Sequence, residues 1–204
     1  MRTKTLLLSA AALVAGLASS VAQSNVYSVN VVGYVNQPMP TGFRIIANPL
    51  DAPTNTLNAL LSSAPSGTQL YKWNGSGYTS STKLGANWIP DLTLVPGEGA
   101  FINVTTTFTN TWVGEVLQGD LTNALPAGLS LVGSMVPQAG TPEQLELTPD
   151  VPSGTQIFFF NGTIYESSTK LGAAFLPTRT INVAQGFFIN VPSASEWTRT
   201  FNVE

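Results

Sequence analysis

The chain has no cysteine and no histidine among its 204 residues. Without cysteine there is no disulfide, no thiol nucleophile and no thiolate metal ligand. Without histidine there is no Ser-His-Asp triad and no imidazole metal site. Most hydrolase mechanisms are thereby excluded, which leaves oxygen-ligand sites and carboxylate pairs as the available chemistry. Charge is scarce too: charged residues make up 9% of the chain, with 8 basic and 11 acidic side chains. The basic residues are not clustered, so the electrostatic footprint of a nucleic-acid-binding protein is absent. Ser, Thr, Asn and Gln carry the polarity instead, and the cysteine-free chain must rest on a packed core.

Long apolar runs are missing apart from one. Arg2 and Lys4 precede the stretch Leu6 to Leu17, and Ser20-Val21-Ala22 follows. Together they read as a signal peptide over residues 1–22, cleaved before Gln23. At about a dozen residues the run is short of the roughly 20 a membrane-spanning helix needs. The expectation is an exported chain (extracellular, periplasmic or at the cell surface) with no membrane span after processing. Loss of Arg2 and Lys4 takes the net charge from −3 to −5.

What is present is a long stretch that occurs twice. Pro65-Ser66-Gly67-Thr68-Gln69, Asn74-Gly75, Tyr78, Ser80 to Ala86, Pro90, Gly99 and Phe101-Ile102-Asn103-Val104 return in order. The second set begins at Pro152 and ends at Phe188-Ile189-Asn190-Val191. The offset is 87 residues, and 22 of the 40 positions from Pro65 to Val104 are identical without a gap. This is an internal duplication, and no Gly/Ser- or Pro-rich linker separates its copies.

Each copy reads as β structure. Val26 to Val35 is rich in β-branched residues, and Phe43 to Ala47 forms a second strand before Asn48-Pro49. Leu70 to Trp73, Asn74-Gly75-Ser76-Gly77 and Tyr78 onward make a hairpin, because Asn-Gly supplies the positive φ its turn needs. Gly99 to Val104 and Thr111 to Leu117 are further strands, and the second copy repeats the plan. Apolar spacing behind Thr54 predicts a short helix at Leu57 to Leu61. Thr141-Pro142-Glu143-Gln144 offers a capping box for its counterpart. Likeness among residues 32–35, 113–116 and 200–204 suggests flanking strands around each body, the middle one shared between the halves. The fold class expected is all-β with two short helices: two similar small barrels or sandwiches packed together, over residues 23–117 and 118–204.

Candidate sites are few. Tyr71, Trp73, Tyr78, Trp88, Phe101 and Trp112 match Phe158, Phe160, Tyr165, Phe175, Phe188 and Phe201, and conserved aromatic character across the copies reads mainly as core. Trp73, Tyr71 and Tyr78, beside the hairpin turn, are the candidate stacking surface for a sugar. Lys83 and Lys170 sit in the recurring Ser-Ser-Thr-Lys-Leu-Gly element. They read as parts of a tight loop, since a phosphate loop would need its Lys after the glycines and before a helix. Glu98 and Glu115 are the remaining carboxylates for a glycosidase, but Glu98 is matched by Gln185 in the second copy. No catalytic, cofactor or metal residues are assigned.

Gly42 to Leu50, Tyr71 to Gly75 and Pro96-Gly97-Glu98-Gly99-Ala100-Phe101-Ile102 carry a resemblance. So does the opening Ser28 to Asn36. The chain resembles uncharacterised secreted or surface bacterial β-repeat proteins, whose modules run from a Gly-aromatic-x-Leu-Ile strand to a Pro-Gly-x-Gly-aromatic strand. The resemblance covers most of the chain after residue 22 and implies export and a β module, with no catalytic residues. The second copy departs from it at Val183-Ala184-Gln185-Gly186, which lacks the Pro-Gly pair. The leading expectation is a non-enzymatic structural or interaction module with a protein or polysaccharide partner. Self-association through edge strands is one form of it. A carbohydrate-binding module using Trp73, Tyr71 and Tyr78 is the alternative, and a carboxylate-dependent glycosidase the third.

Overall fold

The structure, a computed structural model, describes residues 31–203. The signal peptide expected at 1–22 and the first part, Val26 to Asn30, of the strand expected from Val26 to Val35 lie outside these residues. The rest is all-β with two short helices, and it is duplicated as the repeat implies.

Seven strands make each half. In the first, β1 (Val32–Met39) pairs antiparallel with β7 (Phe108–Glu115) as a two-stranded ribbon. Between them in sequence run β2 (Gly42–Ala47), helix α1 (Leu57–Leu60), β3 (Gln69–Trp73), β4 (Tyr78–Leu84), β5 (Asn87–Ile89) and β6 (Gly99–Val104). The five strands form one sheet in the order β2-β6-β3-β4-β5. The second half repeats this with ribbon β8 (Gly119–Leu125) and β14 (Ser195–Phe201). Its sheet has the order β9-β13-β10-β11-β12, from β9 (Gly128–Gly133), β10 (Gln156–Phe160), β11 (Tyr165–Leu171), β12 (Ala174–Leu176) and β13 (Gly186–Val191). Helix α2 spans Leu147–Asp150.

The flanking strands differ from the sequence expectation. No strand is shared: the halves meet at two separate strands, β7 pairing back to β1 and β8 forward to β14. The match of Trp112 with Phe201 also shifts. Met39 and Leu125, both fully buried, hold equivalent places opposite Phe108 and Ser195. Four residues along each ribbon, Val35 faces Trp112 while Leu121 faces Arg199. The slot of Trp112 is therefore filled by Arg199, and the second half buries Trp197 instead, its indole donating to Leu145 O at 2.8 Å.

Strand alternation gives each five-stranded sheet two apolar faces. One packs on its own ribbon and helix. In the first half that core holds Leu57, Leu61, Leu70, Trp88, Ile102 and Trp112, and in the second Leu147, Ile157, Phe175, Phe187, Ile189 and Trp197. The opposite faces meet each other through Ile45, Phe101, Leu131 and Phe188. The helix starts change in detail. The cap of α1 is Thr56, not Thr54, and its hydroxyl makes no capping bond. Thr141 and Gln144 do form the reciprocal capping box, at 2.9 and 3.3 Å. The turn it opens is then broken at Glu146, which sits at φ 60°, so α2 begins three residues later than α1 would place it.

The Ser-Ser-Thr-Lys element is not a loop. It is the inner part of β4 and β11, and its side chains serve the core. Ser81 donates to Pro90 O at 2.6 Å and Ser168 to Pro177 O at 2.7 Å. Lys83 donates to Ala86 O at 2.8 Å, and Lys170 to the carbonyls of Thr148 and Val151. Burial holds the Lys83 ammonium below its ordinary 10.5, with Asp91 pulling the other way. Among the described residues no helix is long and apolar enough to cross a membrane.

The seam between the halves obeys a pseudo-twofold axis. Ala47 N donates to Ala184 O at 2.9 Å, and in the reciprocal position Gly133 N donates to Gly97 O at 3.0 Å. The same two carbonyls accept side-chain amides across the seam, from Gln37 at 3.0 Å and Asn123 at 3.1 Å. Gly99 and Gly186 lie against the backbone of the opposite strand. A Cβ at Gly186 would stand 2.5 Å from Ile46 O, and one at Gly99 2.9 Å from Val132 N. Gly186→Ala therefore wedges the halves apart. It should cost about 1–3 kcal/mol in denaturant unfolding, the usual range for overpacking. Gly77→Ala, whose Cβ would meet nothing within 4 Å, should be close to neutral.

Candidate functional site

The facing sheet surfaces are covered by each other only in part. On the first sheet Phe43, Ile45, Gln69, Tyr71, Trp73, Tyr78, Ser80 and Thr82 all fall on the seam side by alternation. Register lines them up in rows. One row runs Thr82, Gln69, Asn103, Phe43, and the next Ser80, Tyr71, Phe101, Ile45, with Trp73 opposite Tyr78 beyond. The second half has the same rows: Thr169, Gln156, Asn190, Leu129, then Ser167, Phe158, Phe188, Leu131, with Phe160 opposite Tyr165.

The two sheets touch along β2, β6 and β9, β13, then splay apart. Two open troughs result. The first is lined by Phe43, Tyr71, Tyr78, Phe101, Phe160 and Tyr165, and its volume is about 470 Å³. The second is lined by Leu129, Phe158, Tyr165, Phe188, Trp73 and Tyr78, also about 470 Å³. Each lining residue of one has its pseudo-twofold mate in the other. Tyr78 and Tyr165 line both and form the ridge between them. They are 47% and 48% exposed, so this pair is presented to solvent, while Phe101 and Phe188 beneath are buried and the remaining inner rings half-buried.

Edge-to-face and tilted ring contacts hold the floor in place, each worth about 0.5–1.5 kcal/mol beyond area burial. Trp73 and Tyr78 have centroids 5.1 Å apart, and Phe160 and Tyr165 5.2 Å. Phe101 and Phe188 meet at 5.9 Å across the axis. Trp73 reaches over the seam and donates its indole N–H to Leu129 O at 2.8 Å. Tyr71 donates to Gln69 Oε1 at 2.9 Å. These contacts and hydrogen bonds hold the floor rings in place beneath the exposed Tyr78 and Tyr165.

The three residues picked from the sequence, Tyr71, Trp73 and Tyr78, are thus brought together on one surface. Trp73 is half-buried in the seam, and Tyr78 is the most open of the three. Sequence reasoning placed Phe101, Phe158, Phe160, Tyr165 and Phe188 in the core, along with Trp88, Phe175 and Trp112. Trp88, Trp112 and Phe175 are indeed within their own half's core, and Phe101 and Phe188 are buried in the cluster between the sheets, where they also floor the troughs; Phe158, Phe160 and Tyr165 line the troughs and are less buried. The signal that separates the groups is strand parity: Tyr71 and Trp73 alternate with the core residue Leu70, so they face the other way.

Most of the carboxylates are engaged elsewhere. Glu98 pairs with Lys72 at 2.9 Å and accepts Val95 N–H at 2.9 Å. Asp91 accepts Asn58 N–H at 2.9 Å, Glu143 accepts Phe175 N–H at 2.8 Å, and Asp150 accepts both the N–H and hydroxyl of Thr198. Glu115 lies in β7, its backbone bonded to that of Asp51. No group of three or more metal-ligating side chains occurs among the described residues.

Burial raises the Tyr78 phenol above its ordinary 10.0. Burial, then the neighbouring Tyr78, raises that of Tyr165. A raised folded value means that the folded state keeps its proton longer. The contribution to stability is present below pH 10 and lost as pH rises through the folded value. In an alkaline absorbance titration, Tyr78→Phe should delete a phenol ionising above 10.0 and move Tyr165 back towards 10.0. An unchanged Tyr165 would mean that the two rings do not share the ridge. Set against known proteins, the chain matches no family model, no curated protein and no solved structure.

Proposed function

We propose that this chain is a non-enzymatic interaction module of an exported protein, and that the paired aromatic troughs between its halves are its binding surface. The observation that carries the reading is the exposed Tyr78–Tyr165 ridge, set on an aromatic floor and flanked by two open concavities. Large aromatic area left facing solvent is costly to keep uncovered and is a common mark of an interaction site. The absence of cysteine and histidine from the sequence and the structural duties of most of its carboxylates support binding over turnover.

Export is supported by the basic, apolar and small-residue succession at residues 1–22, and a surface rich in Ser, Thr, Asn and Gln suits such a location. Outer strands β5 and β12 are three residues long, and each is followed directly by a proline, Pro90 or Pro177. Short, proline-ended edges discourage strand addition at β5 and β12.

Tyr78→Ser with Tyr165→Ser removes the ridge and leaves both cores untouched. The double variant should stay folded on its two half-cores while its thermal midpoint falls by roughly 5–15 °C, because six ring contacts go with the pair. Co-sedimentation with isolated bacterial envelopes and insoluble polysaccharides should fall to background for the variant. Equal retention of variant and parent would move the binding surface away from the troughs.

A further inference from the structure

Resting on that reading, we infer that the troughs bind one linear, uncharged polysaccharide chain that crosses the Tyr78–Tyr165 ridge and places a sugar ring in each. Four observations converge on this ligand. The first is charge: neither trough is lined by an ionisable group other than tyrosine, and the chain carries few cations with which to hold an anionic polymer. The second is the exposed pair Tyr78 and Tyr165 beside half-buried Tyr71, Trp73, Phe158 and Phe160, which offers flat apolar area to the C–H face of a sugar ring.

The third is the row of polar side chains beside each floor. Gln69, Asn103 and Thr82 border the first trough, and Gln156, Asn190 and Thr169 the second, each row in register across three strands. They stand two residues along the strand from the aromatic row, an offset of about 7 Å. All six are half-buried, and the side chains of Asn103, Gln156 and Asn190 make no hydrogen bond within the described residues. A lipid or an apolar protein knob would have to desolvate these amides without partners. A sugar supplies hydroxyls that both donate and accept, which is the complement an amide needs. The fourth is duplication: two equal concavities meeting at a shared ridge fit a ligand that is itself a repeat.

Two linked subsites make the second contact intramolecular, so affinity should rise steeply once an oligomer is long enough to span both. The intact chain would be titrated calorimetrically with cellohexaose, xylohexaose, mannohexaose and laminarihexaose, and with an oligogalacturonate as the charged comparison. At least one neutral hexasaccharide should bind with one ligand per chain, and its disaccharide should bind about tenfold or more weakly. Tyr78→Ala and Tyr165→Ala should each weaken the hexasaccharide by about tenfold, while Tyr34→Ala, exposed on the ribbon, should leave it unchanged.

Failure of every neutral oligomer, equal binding of di- and hexasaccharide, or preference for the oligogalacturonate would each overturn the inference. The two levels of the argument fail separately. If no sugar binds, but the ridge double variant still loses envelope co-sedimentation, the troughs bind a different partner and only the polysaccharide assignment falls. If the ridge variants change neither, both fall.

Discussion

Two backbone carbonyls hold this molecule together. Gly97 O and Ala184 O, each at the turn entering the last strand of its own sheet, accept a backbone and a side-chain N–H from the other half. The backbone bonds join buried residues and the side-chain bonds are part-buried, across a close-packed seam where a lost partner costs more than a formed bond gains. The requirement explains the glycines beside the turns: no side chain fits between Gly99 or Gly186 and the facing strand. It also explains a local irregularity. Ala184 takes the left-handed conformation that Gly97 takes in the first half, at φ 60° against 83°. A non-glycine residue there is strained, and the methyl is retained because it is 2% exposed and buried in the first half's core. Strain at one turn is offset by packing against the other half.

Much of the architecture could be read from the amino acids. The 87-residue repeat gave two similar units, and Asn74-Gly75 and Asn161-Gly162 fall in the hairpin turns, each Asn Oδ1 accepting two backbone N–H groups. The ribbons were harder. Strand β8, Gly119 to Leu125, alternates weakly, with Asp120, Thr122 and Asn123 interrupting its apolar residues, and escaped notice. Its partner β14 places an arginine where β7 has a tryptophan, so matching similar letters aligned the wrong positions. The duplication is clear where two sheet faces constrain the sequence and faint where one side of a ribbon faces solvent.

The site was half visible for a related reason. Composition marks Tyr71, Trp73 and Tyr78 as aromatic and near a turn, but it does not say which face of a sheet they occupy. Parity does, once Leu70 is assigned to the core. What no local pattern gives is that the opposite half supplies Phe160 and Tyr165 to the same trough, since that depends on how two separate sheets meet. Lys83 and Lys170 show the converse. Their recurrence suggests function, whereas their ammonium groups are spent on carbonyls that end nearby turns and helix α2. A buried charge satisfied by backbone acceptors is recurrent because it is expensive to replace piecemeal.

The pseudo-twofold axis has a consequence for any partner with a head and a tail. A surface that looks nearly the same after half a turn presents the same groups to a strand laid in either direction. Discrimination of direction would rest on the three places where the troughs differ: Phe43 against Leu129, Tyr71 against Phe158, and Trp73 against Phe160. Neither trough is lined by a charged side chain, so on the proposed reading nothing in them would select the terminus of a chain over its middle. On that reading the module would be a clasp, nearly indifferent to polarity, that takes a long filament at any point along it.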